Sequence, residues 1–223
     1  MSSPFDRPEI IELDRVLSDS LFNESGRGAL LIATSYTEEY LTKLIEEALP
    51  VEITINHRNK LFFYPGPLSS LSSKIELAYC FRLIDKEIYE CLNALRKIRN
   101  DAAHSRSEFA LHELTEKLIS VYNMGPGVYT LINELSTKFV VKQRIEGVER
   151  ILIEHGFSEK DKEKKLMELF SSPERIEEVK RAIPFWELRL GVCLLCFLLL
   201  DQKDKLAALT KGIRTWGDLD KKS

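Results

Sequence analysis

Apolar residues recur every three to four positions over most of this chain of 223 residues. That spacing places them on one face of a helix, and it is typical of amphipathic helices packed into a bundle. It predicts two helices between residues 70 and 104 and further helices over residues 7–22, 26–49, 107–123, 128–155, 159–170 and 173–182. From Trp186 to Leu200 the sequence is apolar on nearly all sides, which predicts a central helix.

The segment between Pro50 and Pro65 has the weakest helical pattern. Apolar and polar residues alternate from Val51 to Ile55, and an apolar run with three aromatic residues follows at residues 61–64. Two interpretations are open: a small hairpin, or an ordered loop that presses its aromatic side chains onto the core.

The two helices between residues 70 and 104 have clear start signals. Gly66 and Pro67 end the preceding segment, and Ser69 or Ser70 can cap the first helix. Asp85 can cap the second helix, which carries an apolar stripe of Ile88, Cys91, Leu92, Leu95, Ile98 and Ala102. The second helix ends in a polar cluster, Arg99-Asn100-Asp101-Ala102-Ala103-His104.

The run from Gly66 to Ser105 resembles the signature of the mannitol operon repressor family. The matching parts are Gly-Pro-Leu-Ser-Ser from Gly66, Ser-Lys-Ile-Glu-Leu-Ala-Tyr from Ser73, and Ile-Arg-Asn-Asp-x-Ala-His from Ile98. This resemblance implies repression of a sugar-utilisation operon. No helix-turn-helix with a basic recognition helix is apparent, so we expect the chain to act through a protein partner rather than by reading DNA directly.

Within that run, Arg99 and His104 form a pattern similar to the Arg-x4-His motif of HEPN proteins. HEPN proteins are an all-α superfamily that contains metal-independent ribonucleases. The resemblance implies an all-α, HEPN-like helical bundle with additional C-terminal helices. It also implies an alternative function, an endoribonuclease of RNA processing, toxin or phage-defence systems.

The residue types in the polar cluster suit metal-free RNA cleavage. An imidazole at His104, in the last turn of a helix, can exchange a proton near neutral pH. A guanidinium at Arg99 can stabilise a phosphate or a developing phosphorane, and Asn100 can orient the imidazole or bind substrate. Five helical positions separate Arg99 from His104, so they point to different sides of the helix. A catalytic role therefore implies a homodimer in which two such helices meet.

A purely structural role is the other interpretation of the cluster. In this interpretation Arg99, Asp101 and His104 form interhelical hydrogen bonds. Asp101 can also pair with Arg99, Lys97 or Arg106. Further candidates for contacts with a partner or an anion are the charged residues Arg58, Lys74, Arg96, Asp101 and Arg106. Whether the chain is an enzyme stays open from the sequence.

Charge is unevenly distributed, although the net charge is only −3. Residues 1–55 contain four basic and eleven acidic residues, residues 56–106 contain nine basic and five acidic residues, and the remainder is balanced. The net negative charge argues against a protein whose whole surface binds DNA. The excess of basic residues in the signature fits a site that contacts an anion.

Cysteine and carboxylate patterns predict neither a disulfide framework nor a metal site. Two of the four cysteines lie inside the apolar C-terminal run, so we expect buried free thiols. The glutamates at positions 38, 39, 46 and 47 are expected on a solvated helix face. We expect no metal and no cofactor.

The chain divides into three predicted parts. Residues 1–124 form the core that resembles the repressor family, residues 125–184 add a helical segment after Gly125-Pro126-Gly127, and residues 185–223 supply the apolar closing helix and a polar tail. Residues 1–6 have no basic region followed by an apolar one, and the run from Leu190 to Leu200 is too short to span a bilayer. We therefore expect a cytoplasmic protein with no membrane contact.

Overall fold

A computed structural model describes residues 6–21, 24–104 and 111–211. These residues form nine α-helices and no strand, which confirms the all-α class. The helices are α1 (Pro8–Leu21), α2 (Gly26–Glu47), α3 (Ile55–Phe62), α4 (Leu71–Cys80), α5 (Lys86–His104), α6 (Thr115–Tyr122), α7 (Val128–Glu154), α8 (Glu159–Phe170) and α9 (Pro173–Thr210). A short 3₁₀ turn, Leu111–Leu114, precedes α6.

Helix α9 is the centre of the bundle, because it packs against α1, α2, α6 and α7. The predicted central helix is confirmed, but the prediction that residues 173–182 form a separate helix was wrong. One helix of 38 residues runs through Pro184. Proline lacks a donor and does not favour a helix interior, yet Pro184 and Trp186 are buried, and this packing holds the helix together.

By length and composition, α9 could cross a membrane, and it is the one described helix of which this is true. In its most apolar window of 18 residues, 67% of the residues are buried inside the bundle. These buried residues pack against the neighbouring helices of the bundle.

The predicted hairpin or loop over residues 50–65 was wrong, because these residues contain helix α3. Thr54 caps this helix: its hydroxyl oxygen accepts a hydrogen bond from the His57 N–H at 3.2 Å. The short alternation before it has no described strand to pair with, so the local cap decides the structure. Of the three aromatic residues, Phe62 packs against the core as the loop interpretation required, whereas Phe63 is 67% exposed and Tyr64 is 91% exposed.

Helices α2, α4 and α5 pack against one another, and this arrangement positions the signature. The predicted stripe of α5 is confirmed, since all six of its residues are buried: Ile88, Cys91, Leu92, Leu95, Ile98 and Ala102. Burial of that stripe, at about 25 cal/mol per Å² of apolar surface, holds the opposite face of α5 in a fixed orientation toward solvent and α4.

Candidate functional site

The Gly-Pro-Leu part of the signature anchors the chain just before α4. A Cβ at Gly66 would lie 2.3 Å from the Lys60 carbonyl oxygen and 2.5 Å from that of Leu61, so only glycine permits this close approach. The next buried residue, Leu68, donates its N–H to the Leu61 carbonyl oxygen at 2.9 Å. The loop therefore delivers the serines that follow to a fixed place.

Ser70 is the cap of α4, which confirms one of the two predicted alternatives. Its hydroxyl oxygen accepts a hydrogen bond from the Ser73 N–H at 3.1 Å. The first amides of a helix have no acceptor within the helix. Because Ser70 takes the donor of Ser73, the N–H groups of Leu71 and Ser72 stay available to another acceptor.

Helix α5 presents the polar residues of the signature on one face. Its predicted cap is confirmed, since the Asp85 carboxylate accepts from the Ile88 N–H at 2.9 Å. Arg96, Arg99 and Asn100 follow at spacings of three and four residues, so they lie side by side on the helix surface. The buried stripe turns this face outward.

These residues line one cleft of about 270 Å³, which we call the α4–α5 cleft. Helix α5 contributes Arg96, Arg99 and Asn100. The opposite wall is the start of α4, and α2 closes the inner end, with the remaining lining residues Thr34, Glu38, Ser69, Ser70, Leu71 and Ser72. The structure thus brings together three of the predicted site residues and the serines of the signature.

Both arginines in the cleft have neutral partners. The Arg96 Nε donates to the Asn93 side-chain oxygen at 3.2 Å, and the Arg99 guanidinium donates to the Asn100 side-chain oxygen at 3.1 Å. Neither arginine forms an ion pair with a carboxylate in the described part of the chain. Within the described part of the chain, no carboxylate compensates these two positive charges.

Lys74, a predicted binding residue, has a structural position instead. Its side chain is 9% exposed, and its Nζ donates to the Glu38 carboxylate at 2.6 Å. Glu38 was expected on a solvated face of α2, but this ion pair turns it toward α4. The pair neutralises Glu38, the one carboxylate among the described lining residues, so the positive charge of the arginines dominates over these residues.

His104 lies outside the α4–α5 cleft. It occupies the last turn of α5, as predicted, and its side chain is exposed. A hydrogen bond between His104 and Asn100 is not among those of the described residues, and the Asn100 side-chain oxygen accepts from Arg99 instead. Arg99 and His104 do not form one compact site within a single chain, in agreement with their spacing along the helix.

The remaining predicted residues lie apart from the cleft or outside the described residues. The exposed Arg58 pairs with Glu46 on α2. Asp101 accepts a hydrogen bond from the Lys117 ammonium at 3.3 Å, which links α5 to α6. Arg106 lies outside the described residues.

Three of the four cysteines are buried in the described part of the chain. Burial raises the pKa of the Cys91 thiol to about 12, and burial also raises the pKa of the two cysteines on α9, Cys193 and Cys196. These thiols stay protonated near neutral pH. The expectation of four buried thiols was wrong for Cys80, which is exposed near the end of α4. No group of three metal-ligating side chains occurs among the described residues.

Sequence reasoning missed the contributions of Thr34, Glu38, Ser69 and Ser72 to the cleft. The serines carried a signal, because they belong to the signature and precede a helix. The two α2 residues carried none, since their contact with α4 and α5 depends on the packing of segments more than thirty residues apart.

A comparison of the chain with family models, curated proteins and solved structures gives no match. The resemblance to the mannitol operon repressor family and to HEPN proteins therefore rests on the motifs quoted above.

Proposed function

We propose that this protein is a non-enzymatic transcriptional regulator, similar to the mannitol operon repressor family, that acts through a protein partner. The observation that carries this proposal is the composition of the α4–α5 cleft. Its described residues are two arginines, several neutral hydrogen-bonding groups, one leucine and Glu38, whose carboxylate is paired with Lys74, so none of them is free to transfer a proton. Such a site suits recognition, whereas acid–base catalysis needs a group that gains and loses a proton within reach of the substrate.

Among the described residues in or near the cleft, the two groups able to transfer a proton are unsuited to do so within one chain. Glu38 is paired with Lys74, and His104 does not line the cleft. The motif that resembles the HEPN nucleases therefore has its arginine at a binding site and its histidine elsewhere on α5. We infer that Arg99 serves to bind a ligand and not to catalyse a reaction.

The proposal is tested by deletion and complementation in the source organism, with transcripts of the mannitol-utilisation genes as the readout. We expect deletion to raise these transcripts and the wild-type gene to restore repression. A variant with Arg96→Gln and Arg99→Gln should fail to restore it, whereas Lys97→Gln, which removes a charge from an exposed position of the same helix, should succeed. Purified protein should not retard the operator DNA by itself.

Two results would contradict this proposal. Unchanged transcripts after deletion would remove the regulatory role. Sequence-specific retardation of operator DNA by the purified chain alone would rule out the need for a protein partner, because the chain would then read DNA directly.

A second candidate function is a metal-independent endoribonuclease, and one observation favours it. Arg99 and His104 are both exposed near the end of α5, where the helices of two protomers can meet. The test is incubation of the purified protein with single-stranded RNA and a chelator, beside His104→Ala. Cleavage that leaves cyclic phosphate ends and is lost in the variant would establish the nuclease. Intact RNA with a well-folded dimer would remove it.

A further inference from the structure

Charge in the α4–α5 cleft indicates what the cleft binds. Arg96 and Arg99 bring two positive charges that only amide oxygens contact, while the third cation nearby, Lys74, is neutralised by Glu38. Arg96 is partly buried and Arg99 is exposed, and guanidinium groups without a carboxylate partner favour an anion as their counter-charge. Two such groups match a ligand that carries two negative charges.

The opposite wall of the cleft adds hydrogen-bond donors. The N–H groups of Leu71 and Ser72 and the hydroxyls of Ser69 and Ser72 lie at the start of α4, a helix of ten residues. The positive end of the helix dipole favours an anion at the same place. Donors on two facing walls suit an anion with several oxygens that point in different directions, as a phosphate group has, better than a planar carboxylate.

The size and lining of the cleft limit the rest of the ligand. A volume of about 270 Å³ holds a small molecule. Among the described lining residues, Leu71 is the one apolar side chain and none is aromatic, so these residues offer no surface on which a base can stack. Hydroxyl and amide groups make up most of the neutral lining and suit a polar organic part.

We propose that the α4–α5 cleft binds a small phosphate monoester with a polar organic part. Arg96 and Arg99 hold the phosphate oxygens from one side, and the serines and amides at the start of α4 hold them from the other. The role of this ligand as the signal to which the regulator responds rests on the proposed function. Binding by itself does not depend on that function.

The experiment is isothermal titration of the full chain with glycerol 3-phosphate and with inorganic phosphate, at constant ionic strength. Acetate, sulfate and a single-stranded oligoribonucleotide are titrated in parallel. We expect saturable binding of one monoester per chain, weaker binding of inorganic phosphate and no saturable binding of acetate. Loss of a charge-assisted hydrogen bond weakens binding by about tenfold or more, so Arg96→Gln and Arg99→Gln should each show at least that loss.

Lys97→Gln is the matched control, because it removes one positive charge from the exposed surface of the same helix and Lys97 does not line the cleft. We expect it to change the affinity by less than about twofold, because dissolved salt screens the interaction between an exposed charge outside the site and the bound anion. An equal loss in Lys97→Gln and Arg99→Gln would overturn the proposal, because attraction would then be a property of the whole basic surface.

Three other results would overturn it. The first is the absence of saturable binding of the monoester by folded wild-type protein. The second is equal affinity for acetate. The third is tighter binding of the oligoribonucleotide, lost in both arginine variants, which would assign the cleft to RNA. Phosphate binding combined with unchanged operon transcripts would retain this inference and remove the proposed function, so the two can fail separately.

Discussion

The ion pair between Lys74 and Glu38 leads to a quantitative prediction about the signature. It joins α4 to α2 beneath the α4–α5 cleft, with a distance of 2.6 Å between the lysine Nζ and the glutamate oxygen. The perturbation is Lys74→Met, which keeps the length of the side chain and removes its charge. Glu38 is then left without its partner beside two arginines.

The expected cost follows from the exposure of the two side chains. Two unit charges at this distance attract each other by about 6 kcal/mol at an effective dielectric constant of about 20, before the cost of desolvation is subtracted. Breaking a fully buried pair costs about 3–5 kcal/mol, whereas exposed pairs contribute up to about 1 kcal/mol. Lys74 is 9% exposed and Glu38 is 31% exposed, so we expect an intermediate loss of about 2 kcal/mol.

The assay is thermal and denaturant unfolding of the wild type, Lys74→Met, Glu38→Gln and the double variant. A loss of about 2 kcal/mol lowers Tm by roughly 4–8 °C in a domain of this size. The double variant should regain part of this loss, because no buried charge is left alone. Lys43→Met removes one partner of the exposed Lys43–Glu39 pair of α2 and should cost less than about 1 kcal/mol.

Equal stability losses in Lys74→Met and Lys43→Met would refute this reasoning, because the calculation depends on the burial of Lys74. A strictly additive double variant would refute it too, since the two side chains would then not interact.

The remaining predictions concern α9 and the thiols. Gly191→Ala should lower the free energy of unfolding by about 1–3 kcal/mol, because a Cβ there would lie 2.3 Å from the buried ring of Tyr122; wild-type stability in denaturant unfolding would contradict this packing. Burial raises the pKa of Glu187, so the wild type loses stability as pH rises above the usual glutamate value, and Glu187→Gln should be more stable than wild type near pH 8 with a gap that closes near pH 4. A gap in unfolding free energy that is constant with pH would contradict this. A thiol reagent should modify Cys80 in the folded protein and the other three cysteines after denaturation; mass spectrometry that finds Cys91, Cys193 or Cys196 modified first would show that their burial is wrong.

Local features of the fold were predictable from the sequence, because short-range physics determines them. The caps at Ser70 and Asp85 and the buried stripe of α5 follow from residue types and spacing within one or two turns. Helix α3 was missed, because three alternating apolar residues resemble a strand and the cap at Thr54 was overlooked. The continuity of α9 through Pro184 was missed, since burial overrides the local preference of proline.

The site was predictable in part. Arg96, Arg99 and Asn100 were identified as candidates, and the structure places them on one wall of the cleft. Lys74 could not be assigned correctly, because its partner Glu38 is 36 residues away and only tertiary packing brings the two charges together. The predicted contacts of His104 are with a second chain, and the sequence of one chain does not specify how two chains pack together.

Nitrogen-15 spectra of the arginine side chains, recorded while glycerol 3-phosphate is added to the full chain, test the central claim most directly. Resonances are assigned by their disappearance in Arg96→Gln and Arg99→Gln. We expect the Nε–H signals of these two arginines to shift together and to saturate, while the signal of Arg58, which is paired with Glu46, stays in place. Stationary signals from Arg96 and Arg99 at a ligand concentration that moves other resonances would contradict the claim that the signature forms an anion-binding cleft.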